Sequence, residues 1–134
     1  MPNFEQALES VRNDIGKGIA EVFKPNGASP VSVPEELARV LEGTEAAVVA
    51  VPWVYRCVHT GDFQNLVPTY REIEMHGVTF VNYSQDENNP VFHRYVDWLG
   101  VVNQLGLEVS WRVPIEEEQY RDRLADYRKI HQDG

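Results

Sequence analysis

Residues 46–51, Ala-Ala-Val-Val-Ala-Val, form a short continuous apolar run that ends at Pro52. A run of this length and content predicts a strand buried on both faces, as in parallel sheets. The segments around it carry apolar residues at helical spacing, so strand and helix are expected to alternate. Such alternation indicates right-handed βαβ units. The expected fold class is therefore α/β, with a mostly parallel sheet flanked by helices on both faces.

Apolar residues three and four apart, together with start and stop signals, predict five helices. They cover residues 3–15, 34–42, 63–76 and 90–105, and a last helix that begins at Pro114 and the acidic run 116–118. The third of these has a competing interpretation as a hairpin, with strands on either side of His76 and Gly77. Pro68 lies inside that segment and argues against a helix there. The last helix has a thin apolar face, typical of a surface cover or an interface.

Besides residues 46–51, three segments have the composition or alternation of strands. They are residues 19–23, 78–83 and 107–113, of which the last alternates most regularly. The chain has 134 residues and contains no linker or internal repeat, so we expect one domain over residues 1–134.

The chain is strongly acidic, with 21 acidic and 12 basic residues and a net charge of −9. Acidic residues are in excess in every part of the chain, so the charge is not confined to a tail. A field of this sign opposes contact with a polyphosphate backbone, and it favours a basic protein partner. Direct nucleic-acid binding is therefore not expected.

Cys57 is the only cysteine, so no disulfide can form within the chain. No apolar run approaches the roughly 18–20 residues that span a bilayer, and the first residues lack a signal-peptide pattern. These features predict a cytoplasmic protein with no membrane partner.

The order of these elements resembles the catalytic domain of the serine recombinases (resolvases and invertases). The resemblance covers about residues 4–105 and rests on element order and apolar pattern. The segments that carry it are residues 6–8, 19–23, 26–29, 34–41, 46–51, 75–81 and 99–105. It implies a resolvase-like three-layer architecture, here with an added C-terminal strand and helix.

The chemistry of that family does not follow from the resemblance. Its serine nucleophile lies on a first strand that this chain lacks. Val33 stands where the family has an arginine before a helix, and the family's later arginine motif falls near Val58, His59 and Asp62. Phosphoryl transfer needs dense positive charge around the phosphate, and only Arg56 lies nearby. The resemblance therefore implies an inactive relative.

The missing first strand is central in the family's sheet, so another strand must replace it. Residues 107–113 or a partner chain could do so, which predicts either a rearranged sheet or a dimer.

Six residues near the end of the predicted buried strand are candidates for a binding cleft, since open α/β sheets bind ligands at strand ends. They are Trp53, Tyr55, Arg56, Cys57, His59 and Asp62. Cys57 and His59 would share one face of a strand and could form a nucleophilic pair or half a metal site. A partly buried structural cysteine is the competing interpretation. A structural zinc needs four ligands, and no phosphate-binding glycine loop is present, so neither a metal nor a cofactor is expected.

Three functions remain open at this point. The first is a non-catalytic, recombinase-like interaction or regulatory domain that self-associates or binds a protein partner. The second is a small acidic inhibitor or immunity-type protein that blocks a basic, nucleic-acid-binding site. The third is a small enzyme that uses Tyr55, Arg56, Cys57, His59 and Asp62. Bulky aromatic residues left exposed on the surface would favour an interface.

Overall fold

The structure, a computed structural model, describes residues 1–107 and 117–132. In this part of the chain four helices and five strands follow one another. They are α1 (Phe4–Gly18), β1 (Phe23–Pro25), β2 (Val31–Ser32), α2 (Glu35–Leu41), β3 (Val48–His59), β4 (Glu72–Asn82), β5 (Val91–Val96), α3 (Trp98–Gln104) and α4 (Glu117–Gln132).

The strands form one antiparallel sheet, so the prediction of a mostly parallel α/β sheet with a resolvase-like three-layer architecture is wrong. β3 pairs with β4 from Val48↔Asn82 to Val58↔Glu72, and β4 pairs with β5. β1 and β2 pair with the second half of β3, also antiparallel. The long strands follow one another through loops, whereas parallel neighbours require a crossover connection, usually a helix.

The prediction of a helix over residues 63–76 is wrong. Gln64, Asn65 and Tyr70 have φ angles of 50°, 67° and 56°, which a right-handed helix cannot contain. The segment is a loop that leads into β4. The alternative hairpin is not found either, because His76 and Gly77 lie in the middle of β4.

The predicted helix over residues 90–105 is wrong in its first half, which is strand β5. The helix begins at Trp98, after Asp97, whose side chain accepts a hydrogen bond from the Gly100 N–H at 3.0 Å. The strand predicted over residues 19–23 is also wrong, since a turn follows α1 and β1 begins only at Phe23.

Other predictions are confirmed. Helices form at α1, α2 and α4, and the strand predicted at residues 46–51 is part of β3. β3 continues through Pro52 to His59. The backbone N–H of His59 donates to the Arg71 carbonyl at 3.0 Å. Because hydrogen-bonded positions alternate along an antiparallel pair, the hydrogen bonds to β4 fall on odd-numbered residues of β3. Pro52 therefore removes no hydrogen bond to β4. The predicted strand over residues 107–113 falls almost entirely outside the described residues.

The core lies between α1 and one face of the sheet. Asn3 caps α1 by accepting the Gln6 N–H at 2.8 Å, and the buried side of the helix then points at the sheet. We call the sheet face toward α1 the inner face. Its buried residues on β3 and β4 are Val49, Val51, Trp53, Tyr55, Cys57, His59, Ile73, Met75, Thr79 and Val81. The even-numbered residues of β3 and β4 point to the opposite side, the outer face.

α4 is exposed along its described side chains except at Leu124, which is half-buried. Among the residues that the structure describes, each helix is too short or too polar to cross a membrane.

Candidate functional site

The six cleft candidates are separated by the alternation of β3. Trp53, Tyr55, Cys57 and His59 point to the inner face and are at most 1% exposed. Arg56 points to the outer face, and Asp62 lies in the loop after the strand. Cys57 and His59 do share a face, but that face is the core.

Trp53 and Tyr55 have their polar atoms satisfied inside the core. The Trp53 indole N–H donates to the Thr79 hydroxyl at 2.9 Å. The Tyr55 hydroxyl donates to the backbone carbonyl of Phe23 at 2.7 Å, which ties β3 to the start of β1. Burial, and then the nearby Cys57, raises the pKa of Tyr55 to about 12. Both side chains therefore act as structural donors.

Cys57 is buried among backbone carbonyls. Its Sγ lies 3.9 Å from the Tyr55 oxygen and 4.0 Å from the Ile73 oxygen. Burial raises the pKa of the thiol to about 12, so the thiolate needed for nucleophilic attack is absent at neutral pH. The geometry supports a structural cysteine.

His59 is bonded to Thr69 rather than to Cys57. The Thr69 N–H donates to Nδ1 at 3.1 Å, and the Thr69 hydroxyl lies 2.9 Å from the same atom. Nδ1 is thus an acceptor, and the proton of the neutral ring lies on Nε2. Within the described residues Nε2 is buried and has no hydrogen-bond partner. The ring packs on Phe23, with centroids 5.4 Å apart.

Arg56 belongs to a small charged cluster at one end of the outer face. Its Nε lies 3.5 Å from Glu74, and His76 lies 3.9 Å from the same carboxylate. All three side chains are more than half exposed, so water screens these interactions. An enzyme site that combines Arg56 with Cys57 and His59 is not assembled, because the sheet separates them.

An apolar surface covers much of the rest of the outer face, where Asn82 and His93 are the polar residues that interrupt it. We call it the outer-face patch, and its members are Val48, Ala50, Pro52, Val54, Val78, Phe80, Val91 and Tyr95. The register places them in rows across three strands. One row runs from Pro52 through Val78 to Tyr95. The patch is therefore contiguous across β3, β4 and β5.

The patch is open to solvent. Tyr95 is 63% exposed, Val48 48%, Val91 42% and Phe80 39%, and the remaining members are half-buried. The rings of Phe80 and Tyr95 meet edge to face with centroids 5.9 Å apart. Sequence reasoning missed this surface because it placed Val91 and Tyr95 on a helix. Its signal was the pair Val78 and Phe80, two apart on a strand.

The described residues contain no group of three or more His, Cys, Asp or Glu side chains that could hold a metal ion. No family model matches the chain, and no curated protein or solved structure matches it either.

Proposed function

We propose that this chain is a non-catalytic protein-interaction domain that self-associates through the outer-face patch. The observation that carries the proposal is a contiguous apolar surface across three strands, with Tyr95 63% exposed on β5, the edge strand. Monomeric soluble proteins rarely leave contiguous apolar patches larger than a few hundred Å² in contact with water, and larger ones mark interaction sites.

A non-catalytic role is favoured by the state of the reactive groups. The Cys57 thiol is protonated and buried, and the Tyr55 hydroxyl donates a hydrogen bond to a backbone carbonyl. His59 accepts from Thr69 beneath the ring of Phe23. These side chains hold β3 against β1, β4 and the loop before β4, and none of them is presented to a substrate.

A second copy is the partner that best fits the charge of the patch. None of its eight members carries a formal charge, so two copies can bring these surfaces together despite a net charge of −9 each. A basic partner would need acidic side chains within the contact. The adjoining Arg56 and Glu74 supply both signs, which allows a twofold arrangement to pair them between copies.

The resemblance to the serine recombinases stays a prediction. The antiparallel sheet differs from the parallel sheet that the resemblance implies. The proposed function therefore rests on the outer-face patch and not on the resemblance.

The test compares two exposed valines, each replaced by glutamate. Val91→Glu puts a charge in the patch, and Val40→Glu puts the same charge on α2, where Val40 is 76% exposed. Multi-angle light scattering at about 0.1 mM, where micromolar interfaces are occupied, reports the mass in solution.

We expect a dimer for the wild type and for Val40→Glu, and a shift to monomer for Val91→Glu with association at least about tenfold weaker. A monomeric wild type at this concentration, or equal dimerisation by both variants, would falsify the proposal.

A further inference from the structure

A second surface, independent of the outer-face patch, lies at the open end of the inner side of the sheet. It is a groove between the C-terminal end of α1, the start of β1, the loop after β3, strand β5 and the start of α3. Its volume is about 210 Å³. We call it the aromatic groove, and its main lining residues are Gly18, Phe23, Phe63, Arg94 and Trp98.

Three aromatic rings pack against one another along this groove. Phe63 and Trp98 are stacked, with centroids 5.5 Å apart and an interplanar angle of 26°. Phe23 contacts both, at 5.4 Å from Phe63 and 6.5 Å from Trp98. Phe23 is buried, whereas Trp98 is 42% exposed. The groove therefore presents aromatic surface to water at its mouth, where a flat ligand ring can pack on it.

The polar element of the groove is the guanidinium of Arg94. This side chain leaves β5 on the inner face, and its Nη1 lies 3.3 Å from the Asp14 carboxylate of α1. A guanidinium has five N–H donors. Within the described residues, this contact with Asp14 is the one hydrogen bond that the Arg94 side chain makes. Several donors therefore remain for a further acceptor in the groove.

Gly18 makes room for this guanidinium. A Cβ at position 18 would lie 2.6 Å from Nη1 of Arg94, closer than real contacts allow, and 3.0 Å from Nη2, so the flexible arginine head would have to move. The end of α1 thus lets the arginine head lie against the backbone.

We propose that the aromatic groove binds a small planar aromatic carboxylate. The ring packs against Trp98 and Phe63, and the carboxylate accepts hydrogen bonds from the N–H groups of Arg94 that Asp14 does not use. Charge-assisted bonds from arginine to carboxylate are about twice as strong as neutral ones, which makes the anionic form of the ligand the preferred one. The volume is below the roughly 300–1,000 Å³ of pockets for drug-sized ligands, so the ligand has one or two rings.

The probe is 2-naphthoate, and 2-naphthamide is its uncharged analogue of nearly the same shape. Titration is followed by ¹⁵N NMR of the indole N–H signals. Trp98 reports the groove, and Trp53, buried and bonded to Thr79, serves as an internal reference for the fold. A ligand of this size supports a Kd of about 1 mM or lower.

Two variants test the role of the guanidinium. Arg94→Gln removes the charge, and its matched control is Arg39→Gln, since Arg39 also pairs with a single carboxylate, that of Glu35 at 2.7 Å on α2. Gly18→Ala keeps the charge and displaces the guanidinium, and it decides the question if Arg94→Gln fails to fold.

We expect a saturable shift of the Trp98 signal, with naphthoate bound about tenfold or more tightly than naphthamide. Arg94→Gln should abolish this preference, Gly18→Ala should weaken naphthoate binding several-fold, and Arg39→Gln should change neither. The proposal is overturned if no saturation occurs, if acid and amide bind equally, or if neither groove variant changes the affinity.

Discussion

The two faces of this sheet are built from the same strands but differ in burial, since one is covered and the other is open to solvent. On the inner face, Trp53, Tyr55 and Cys57 are fully covered, and each has its polar atom against a fixed neighbour. On the outer face, Pro52 and Val54 alternate with those residues along β3 and remain in contact with water. Residue types that often carry chemistry, such as cysteine and tyrosine, therefore stabilise the core, while unreactive aliphatic side chains form the open surface. Residue type alone is a poor guide to where function lies.

The largest expected effect comes from truncation on the inner face. Trp53→Ala leaves a cavity and removes the partner of the Thr79 hydroxyl, which should lower the free energy of unfolding by about 3–5 kcal/mol. Its neighbour on the outer face, Val54→Ala, should cost about 1 kcal/mol or less. Urea denaturation of both variants measures the contrast. Similar losses would mean that the two faces are buried alike.

A smaller loss of stability is expected from adding a side chain at Gly77, where the inner face has no room for one. A Cβ at Gly77 would lie 2.6 Å from the Tyr95 carbonyl oxygen and against the Trp53 indole. Gly77→Ala should therefore destabilise the fold by about 1–3 kcal/mol through overpacking. Gly16→Ala is the control, because that Cβ would meet nothing within 4 Å. In α1 it should be neutral or stabilise by up to about 1 kcal/mol. Thermal melts compare the two, and a stable Gly77→Ala would contradict the packing of Trp53.

The inner face also predicts a loss of stability at alkaline pH. Burial raises the pKa of Cys57 from 9.0 to about 12, and Tyr55 rises from 10.0 to about 12. The unfolded chain releases these protons first, so their contribution is complete below pH 9 and is lost as the pH rises toward 12. At pH 10 the thiol alone should cost about 1 kcal/mol.

Urea midpoints at pH 8 and pH 10 check this, with Cys57→Ala as the comparison. The wild type should lose more stability than the variant between these two pH values. An equal loss would show that the thiol ionises as readily in the folded protein.

The smallest effect is expected at the charged end of the outer face. Arg56 and Glu74 are 65% and 54% exposed, so their ion pair should contribute about 0.2–1 kcal/mol. A double-mutant cycle with Arg56→Ala and Glu74→Ala measures the coupling. A coupling well above this range would place the pair in a water-excluded contact, such as a dimer interface.

Sequence reasoning succeeded where one side of an element faces the core and the other faces water. Phe4, Ala7, Val11 and Ile15 of α1 follow helical spacing and are all buried. The alternation of β3 likewise placed Cys57 and His59 on one face. This face is the core because α1 packs on it and because β4 pairs with β3 along nearly its whole length. No local sequence pattern encodes such contacts.

The failures came from coincident spacings. Leu66, Tyr70 and Ile73 are three and four apart and mimic a helix face. Ile73 in fact begins the alternation of β4, which continues with Met75. Tyr70 has a positive φ, which its identity does not signal.

The error about the sheet itself is informative. A continuous apolar run was taken to mean burial on both faces, yet Val48 is 48% exposed. Local sequence cannot distinguish a strand covered on both sides from one whose outer side is open to solvent. The stretch that misled the fold prediction thus contributes residues to the outer-face patch.

The position of α1 bears on how far assembly of this protein can proceed. A sheet with two open apolar faces can pack a further copy on each face, so face-to-face assembly has no built-in end. Here α1 occupies one side of the sheet, so joining two outer faces leaves neither copy with another such face to offer. If two copies associate through the outer-face patch as proposed, we therefore expect growth by this surface to stop at two copies, because α1 covers the other face of each sheet.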